Sequence, residues 1–149
     1  MRAVVQRVRS CSVIVQGRQT GAIERGLLVY LGVKRTDEER DARYICDKVL
    51  GLRIFADDAG KMNLSVRDVG GGVLLVSQFT LYGDAREGRR PSYTEAADPD
   101  KARQLYDLAV QLLQQSGTPL ATGEFQASME VSYVNQGPVT ILIDSEKAF

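Results

Sequence analysis

The chain contains no histidine. Any chemistry it performs must dispense with the commonest general base and draw on backbone groups, hydroxyls or the substrate itself. Cysteine is scarce too. Cys11 and Cys46 stand far apart and outside any C-x-x-C, and without histidine they offer no zinc-binding pattern. They read as reduced thiols of a cytoplasmic protein, because disulfides are rare there. Neither a metal nor a cofactor is expected. No apolar run approaches the roughly 20 residues that span a bilayer, so no membrane is expected as a partner. Residues 1–7 lack the apolar stretch of a signal peptide and read as the start of a strand. Net charge is missing as well: 19 Lys plus Arg balance 19 Asp plus Glu. Such a chain lacks the basic footprint of a protein that wraps nucleic acid, although a few arginines suffice to hold a short nucleic-acid end. Linkers, internal repeats and low-complexity tracts are also absent, and residues 1–149 read as one domain.

What is present is strand-rich at both ends. Residues 3–8 and 12–15 are rich in β-branched side chains, Gln16-Gly17-Arg18 is a turn, and residues 19–23 lead back. Residues 27–33 are continuously apolar, the pattern of a strand covered on both faces. A helix follows. Thr36 and Glu39 have the spacing of a capping box, Ala42, Ile45, Cys46 and Val49 form its stripe, and Gly51 sits where a C-terminal glycine belongs. Residues 52–55 return to strand, and residues 57–61 turn. Gly70-Gly71-Gly72 punctuates the chain before the apolar strand 73–76. With no Gly-Lys-Ser/Thr after it, it is not a phosphate loop. A second helix has Asp98 as N-cap and Pro99 as its first residue, with Ala102, Leu105, Tyr106, Ala109, Leu112 and Leu113 on its buried stripe and Gly117 and Pro119 at its end. From Phe125 to Tyr133 apolar and polar residues alternate, as in a half-buried antiparallel strand. Pro138 interrupts, and residues 139–143 resume as strand. Two helices that do not alternate with the strands point to an α/β fold of mixed, α+β character. Its sheet layers are barrel-like, with both helices packed on one side.

Two segments concentrate polar groups at the edge of an apolar strand. Ser77 and Thr80 could place a hydroxyl beside backbone N–H groups able to hold an oxyanion, or could equally form a Ser/Thr turn. No histidine can activate either hydroxyl, which weakens the case for a serine-hydrolase type of nucleophile. Gly137-Pro138 is either a turn or edge bulge between strands or, in the cis form, a stiff element that acts as a steric gate. Arg86, Arg89 and Arg90 could contact phosphates or form a solvated loop with Asp84 and Glu87. Asp57-Asp58 is first a turn signal, and Phe125 and Met129 fit core packing.

Taken together, Ser77-Gln78-Phe79-Thr80-Leu81 and Asn135-Gln136-Gly137-Pro138-Val139-Thr140 resemble the signatures of the D-aminoacyl-tRNA deacylases. The likeness runs along the whole chain. It includes the opening Met1-Arg2-Ala3-Val4-Val5-Gln6-Arg7-Val8, Gly60-Lys61-Met62-Asn63-Leu64-Ser65 and Arg90-Pro91-Ser92-Tyr93. The resemblance implies a homodimer that hydrolyses the ester joining a D-amino acid, or glycine, to the 3′ end of tRNA, as proofreading in translation. It implies that Gly137 and Pro138 form a cis gate entering the partner's active site, and that Arg7 steadies them. It places Ser77, Gln78, Phe79 and Thr80 in the catalytic pocket, with the Phe79 and Thr80 amides near the reacting carbonyl. Phe125 and Met129 are implied to line the terminal adenosine pocket. The substrate's 2′-hydroxyl, rather than Thr80, is expected to organise the attacking water. A non-catalytic module of the same fold that binds a tRNA end or DNA is the alternative.

Overall fold

The computed structural model describes residues 1–149. The chain runs β1 (Arg2–Val15), β2 (Arg18–Ile23), β3 (Gly26–Gly32), α1 (Glu39–Gly51), β4 (Phe55–Ala56), β5 (Met62–Leu64), β6 (Gly72–Ser77), a short 3-10 helix (Phe79–Tyr82), α2 (Pro99–Gln115), β7 (Leu120–Thr122) and β8 (Glu130–Asp144). The main sheet is ordered β2-β1-β3-β6-β7, with β8 also paired to β1. β1 is antiparallel to β2, β3 and β8, whereas β6 is parallel to both β3 and β7. β4 and β5 make a separate small hairpin. The ends of the main path nearly close into a barrel where Gly21 of β2 meets β7. A Cβ on Gly21 would lie 2.5 Å from the Thr122 carbonyl oxygen, closer than real side chains come, so glycine permits the closure.

The continuous apolar run in β3 has the double coverage its sequence demands. Leu27, Val29 and Leu31 join the larger core with Ile45, Val49, Leu105 and Leu113 of the two helices. Leu28, between them, faces the barrel interior with Val8, Cys11, Val13, Leu74 and Val76. The helices pack against each other as well as on this one side of the sheet. β1 serves both cores. Ala3 and Val5 belong to the helix-side cluster, and Val8, Cys11 and Val13 to the interior one. The switch occurs where its register with β8 shifts, between Gln6 and Cys11.

Several sequence expectations are corrected in detail. Residues 2–15 are one strand, not two. The box at the start of α1 uses Asp41, whose carboxylate accepts from the Glu38 N–H at 2.8 Å, and the N-cap is Glu38, two residues beyond Thr36. Gly51 is the last helical residue, and Leu52 caps the helix. Residues 52–54 are not strand; only Phe55–Ala56 pairs. Residues 125–129 lie outside any strand, although their burial alternates as the sequence suggests. β8 begins at Glu130, and Gln126 has a positive φ of 64°. Pro138 does not end that strand. β8 runs through it, but its pairing with β1 skips from Asn135 to Thr140. α2 matches its expected start: the Asp98 carboxylate accepts from the Lys101 N–H at 3.1 Å, and Pro99 opens the helix.

Candidate active site

A cleft of about 740 Å³ opens where the end of β6, the first turns of α2 and residues 125–131 converge. One acceptor ties these parts together. The Leu75 carbonyl of β6 accepts from the Tyr106 hydroxyl at 3.0 Å and from the Gly123 N–H at 3.1 Å. The Tyr106 ring meets Phe125 at a centroid distance of 5.7 Å, and the Arg103 guanidinium lies over the Phe125 ring at 5.2 Å. A half-apolar wall is thus fixed by hydrogen bonds at its base and by aromatic contacts above.

The floor of the cleft comes from Ser77, Gln78 and Phe79. β6 ends at Ser77 and the 3-10 helix begins at Phe79, so the N–H groups of Phe79 and Thr80 have no carbonyl one turn back within that helix. The Gln78 N–H is committed to the Leu31 carbonyl at 2.8 Å, which anchors this turn to β3. The Gln78 side-chain amide donates to the Thr80 hydroxyl. Phe79 is 56% exposed and meets Tyr93 edge-on at 5.1 Å, forming an aromatic lip that one side leaves open. Ser77, Gln78, Phe79, Phe125 and Met129 all line this one cleft. Thr80 stands just beside it, bound to Gln78 and not among the lining residues. Sequence reading did not single out Tyr93, Ala96, Ala97, Pro99 or Val131 as part of the wall. Of these, the Asp98-Pro99 helix start was the only available signal.

Titratable groups in the lining are Tyr93, Asp98 and Tyr106. Burial pushes the Tyr106 phenol upward, and the Asp98 carboxylate is occupied as a helix cap. Neither thiol lines the cleft. Cys11 is pushed up to about 11 and Cys46 to about 12 by burial, which keeps both protonated and inert near neutral pH. What the cleft offers is a set of fixed amides, an amide side chain and apolar surface.

Gly137, Pro138 and Arg7 lie elsewhere, outside their own chain's cleft. Gly137 and Pro138 are exposed at the bulge in β8, and the bond between them is cis. The flanking residues of the motif shape the bulge. The Asn135 carboxamide accepts from the Val139 N–H at 3.3 Å and donates to the Thr140 hydroxyl at 3.2 Å. Gln6 of β1 donates to that same hydroxyl at 3.2 Å. Arg7 braces the loop from below: its Nε donates to the Gln136 carbonyl at 3.2 Å and its Nη1 to the Ile54 carbonyl at 2.7 Å. Gly137 has φ +125°, and a Cβ there would sit 2.9 Å from both Arg7 Nη2 and Val139 Cγ2. Only glycine fits. Asp57 is engaged as a turn former, as its sequence context suggests: its carboxylate accepts from the N–H groups of Ala59 and Lys61 at 2.9 and 3.0 Å. Arg86 is paired with Asp84.

A near-closed mixed barrel with two helices on one side, holding a base-free cleft and a separate stapled Gly-Pro bulge, defines a narrow class of architecture. Residues 4–144 match the family model described as D-Tyr-tRNA(Tyr) deacylase, and the chain belongs to this family. It is 60% identical over all 149 residues to a D-aminoacyl-tRNA deacylase of Thermotoga petrophila, and 59% identical over the same length to one of Koribacter versatilis, covering 100% of each chain. Among solved structures it is similar to the c-Myc DNA Unwinding Element Binding Protein, with a TM-score of 0.92 at 37% identity over 97% of this chain and 98% of that one. A probable eukaryotic D-amino acid tRNA deacylase shares the fold, with a TM-score of 0.77 at 17% identity, covering 95% and 97%. No helix is long and apolar enough to cross a membrane.

Proposed function

We propose that this chain is a hydrolase that cleaves the ester between a D-amino acid and the 3′ end of tRNA, a proofreading step in the cytoplasm. The observation that carries the reading is the division of the two signature segments. Ser77-Gln78-Phe79 line a cleft without a general base, while Gly137-Pro138 stand exposed on a braced bulge outside it. A homodimer in which each bulge enters the partner's cleft unites them. Gly137 and Pro138 then fill the space an L side chain would need and leave a D side chain room. Glycine has no side chain to exclude, so glycyl-tRNA is accepted as well. Phe125 and Met129 line the part of the cleft assigned to the terminal adenosine, where stacking suits a single-stranded end.

The chemistry follows from what the cleft supplies. An aminoacyl ester is already activated. Water adds to its carbonyl carbon, and the Phe79 and Thr80 N–H groups receive the developing oxyanion, a contribution worth typically ~10²–10³ in rate per donor. The bond from that carbon to the ribose 3′-oxygen then breaks. The proton removed from water goes to the departing oxygen by way of the neighbouring 2′-hydroxyl, which leaves a free amino acid and uncharged tRNA. Thr80 Oγ takes no part as nucleophile, because the cleft has no histidine and its one carboxylate, Asp98, is engaged as a helix cap.

The test compares release of D- and L-tyrosine from the same tRNA. Turnover of the D ester and sparing of the L ester is expected; equal rates would remove the gate. The name of the 37% identical structural relative favours one rival, a non-catalytic nucleic-acid binder. Tight binding of tRNA with no turnover would establish that reading instead.

A further inference from the structure

A second depression, of about 250 Å³, adjoins the Gly137-Pro138 bulge at Gln136 and shares no residue with the cleft. Arg7, Arg9 and Arg25 line it with Phe55, Ala56 and Gln136. No carboxylate is among them. None of the three arginines makes an ion pair, whereas Arg2, Arg18, Arg35 and Arg86 each do. In a chain of zero net charge, three unneutralised guanidiniums around one hollow are a local concentration of positive field. Two are also held in place. Arg7 is fixed by the Gln136 and Ile54 carbonyls, and Arg25 stacks over the Phe55 ring at 5.4 Å. Arg9 is exposed at the rim. A planar fork of donors held in advance suits a tetrahedral oxyanion, because little side-chain entropy remains to be lost on binding.

We propose that this hollow binds backbone phosphate of the nucleic-acid substrate. The proposal rests on the function above, in that the Gly-Pro bulge of one protomer enters the partner's cleft. Gln136 belongs to both the hollow and the bulge, so the arginines of one subunit come to lie beside the mouth of the other subunit's cleft. A strand whose terminal nucleotide occupies that cleft must leave past this mouth, one phosphate per nucleotide. The hollow receives one or two of them. One subunit therefore gates the substrate of its partner and also holds its backbone.

The experiment uses Arg9→Ala with Arg25→Ala, which leaves the bracing residue Arg7 untouched. Binding of an uncharged RNA minihelix that carries the acceptor end is measured by fluorescence anisotropy across a salt series. The double variant should bind about tenfold more weakly, and its slope of log affinity against log salt should shrink by about 0.7 for each single-strand phosphate no longer neutralised. Arg9→Lys with Arg25→Lys should recover part of the affinity and all of the slope, since charge is kept and the fork is not. An unchanged affinity and slope in the alanine variant overturns the proposal. So does a rise in dimer dissociation with RNA binding unaltered, which would make the hollow a docking point for a partner carboxylate. The enzymatic reading is scored separately, by turnover of D-tyrosyl-tRNA by the wild type. Its absence alongside a shifted salt slope would sink the chemistry and uphold the hollow.

Discussion

The floor of the cleft is held by the main-chain ladder of β6, whereas the Gly137-Pro138 bulge departs from its ladder and is held by side chains. At the floor, Ser77 to Phe79 follow directly from a buried parallel strand, and the Leu31 and Leu75 carbonyls fix the turn and the walls around it. At the bulge, Asn135, Thr140, Gln6 and Arg7 replace the strand pairing that is missing between Asn135 and Thr140. A ladder tolerates the loss of one side chain. A bulge supported by a few named side chains does not. Sensitivity to substitution should therefore be unequal between the two halves of the site.

Gly137→Ala gives the widest separation. Its added methyl must push against Arg7 and Val139. Displacement of the bulge by even part of an ångström should cost on the order of a hundredfold in kcat/KM for D-tyrosyl-tRNA. Steady-state deacylation by a folded variant checks this. Asn135→Ala removes two hydrogen bonds from the bulge and should lower kcat/KM about tenfold, with the ratio of D to L turnover falling too. If discrimination stays intact, Asn135 is not what shapes the gate. On the cleft side, Tyr106→Phe leaves the Leu75 carbonyl still bonded to Gly123. It should lower stability by about 1 kcal/mol, roughly 2–4 °C in Tm, with turnover nearly unchanged. Thr80→Ala should act least of the four, within about threefold of wild-type kcat, if its hydroxyl is no nucleophile, as proposed. Complete loss in a folded variant would invert the comparison and make Thr80 the nucleophile.

The pH dependence sharpens the same contrast. With no histidine, and both thiols held protonated by burial, no imidazole or thiol inflection should appear between about pH 6 and 8.5. An inflection from the α-amino group of the substrate, ordinarily near 7.7–8.0, should vanish with an N-acetylated ester. Stability has a defined sign. The thiol pKa values are raised in the folded state, so their contribution is complete below about 8.5, the value in the unfolded chain, and is lost as pH rises toward 11–12. Denaturant melts at pH 7 and 10 measure it.

Much of the scaffold could be read from residue patterns because its signals are local. The doubly covered β3, the buried stripe of α1 and the Asp98-Pro99 start of α2 each arise within a few residues. The stretch from Phe125 to Met129 misled because burial alternates there without any strand partner: one side packs on Tyr106 and the sheet while no ladder forms. The wall built from Tyr93, Ala96 and Ala97 was illegible, since small residues in a loop gain meaning only from the helix and turn they face. A bulge was among the readings of Gly137-Pro138, but the continuity of β8 was not, because Pro138 reads as a break. Only the β1 partner reveals that the strand continues on both sides of it.

The antiparallel match of Arg2 with Asp144 has a consequence for synthesis. β1 is made well before its long neighbour β8, with the other strands and both helices between them. A chain made only as far as Thr122 would carry Ser77 to Phe79 but neither the cleft wall of Phe125, Met129 and Val131 nor the Gly-Pro bulge, so its cleft would be incomplete. The last wall of the cleft and the proposed gate thus arrive together, with β8 and the segment that leads into it.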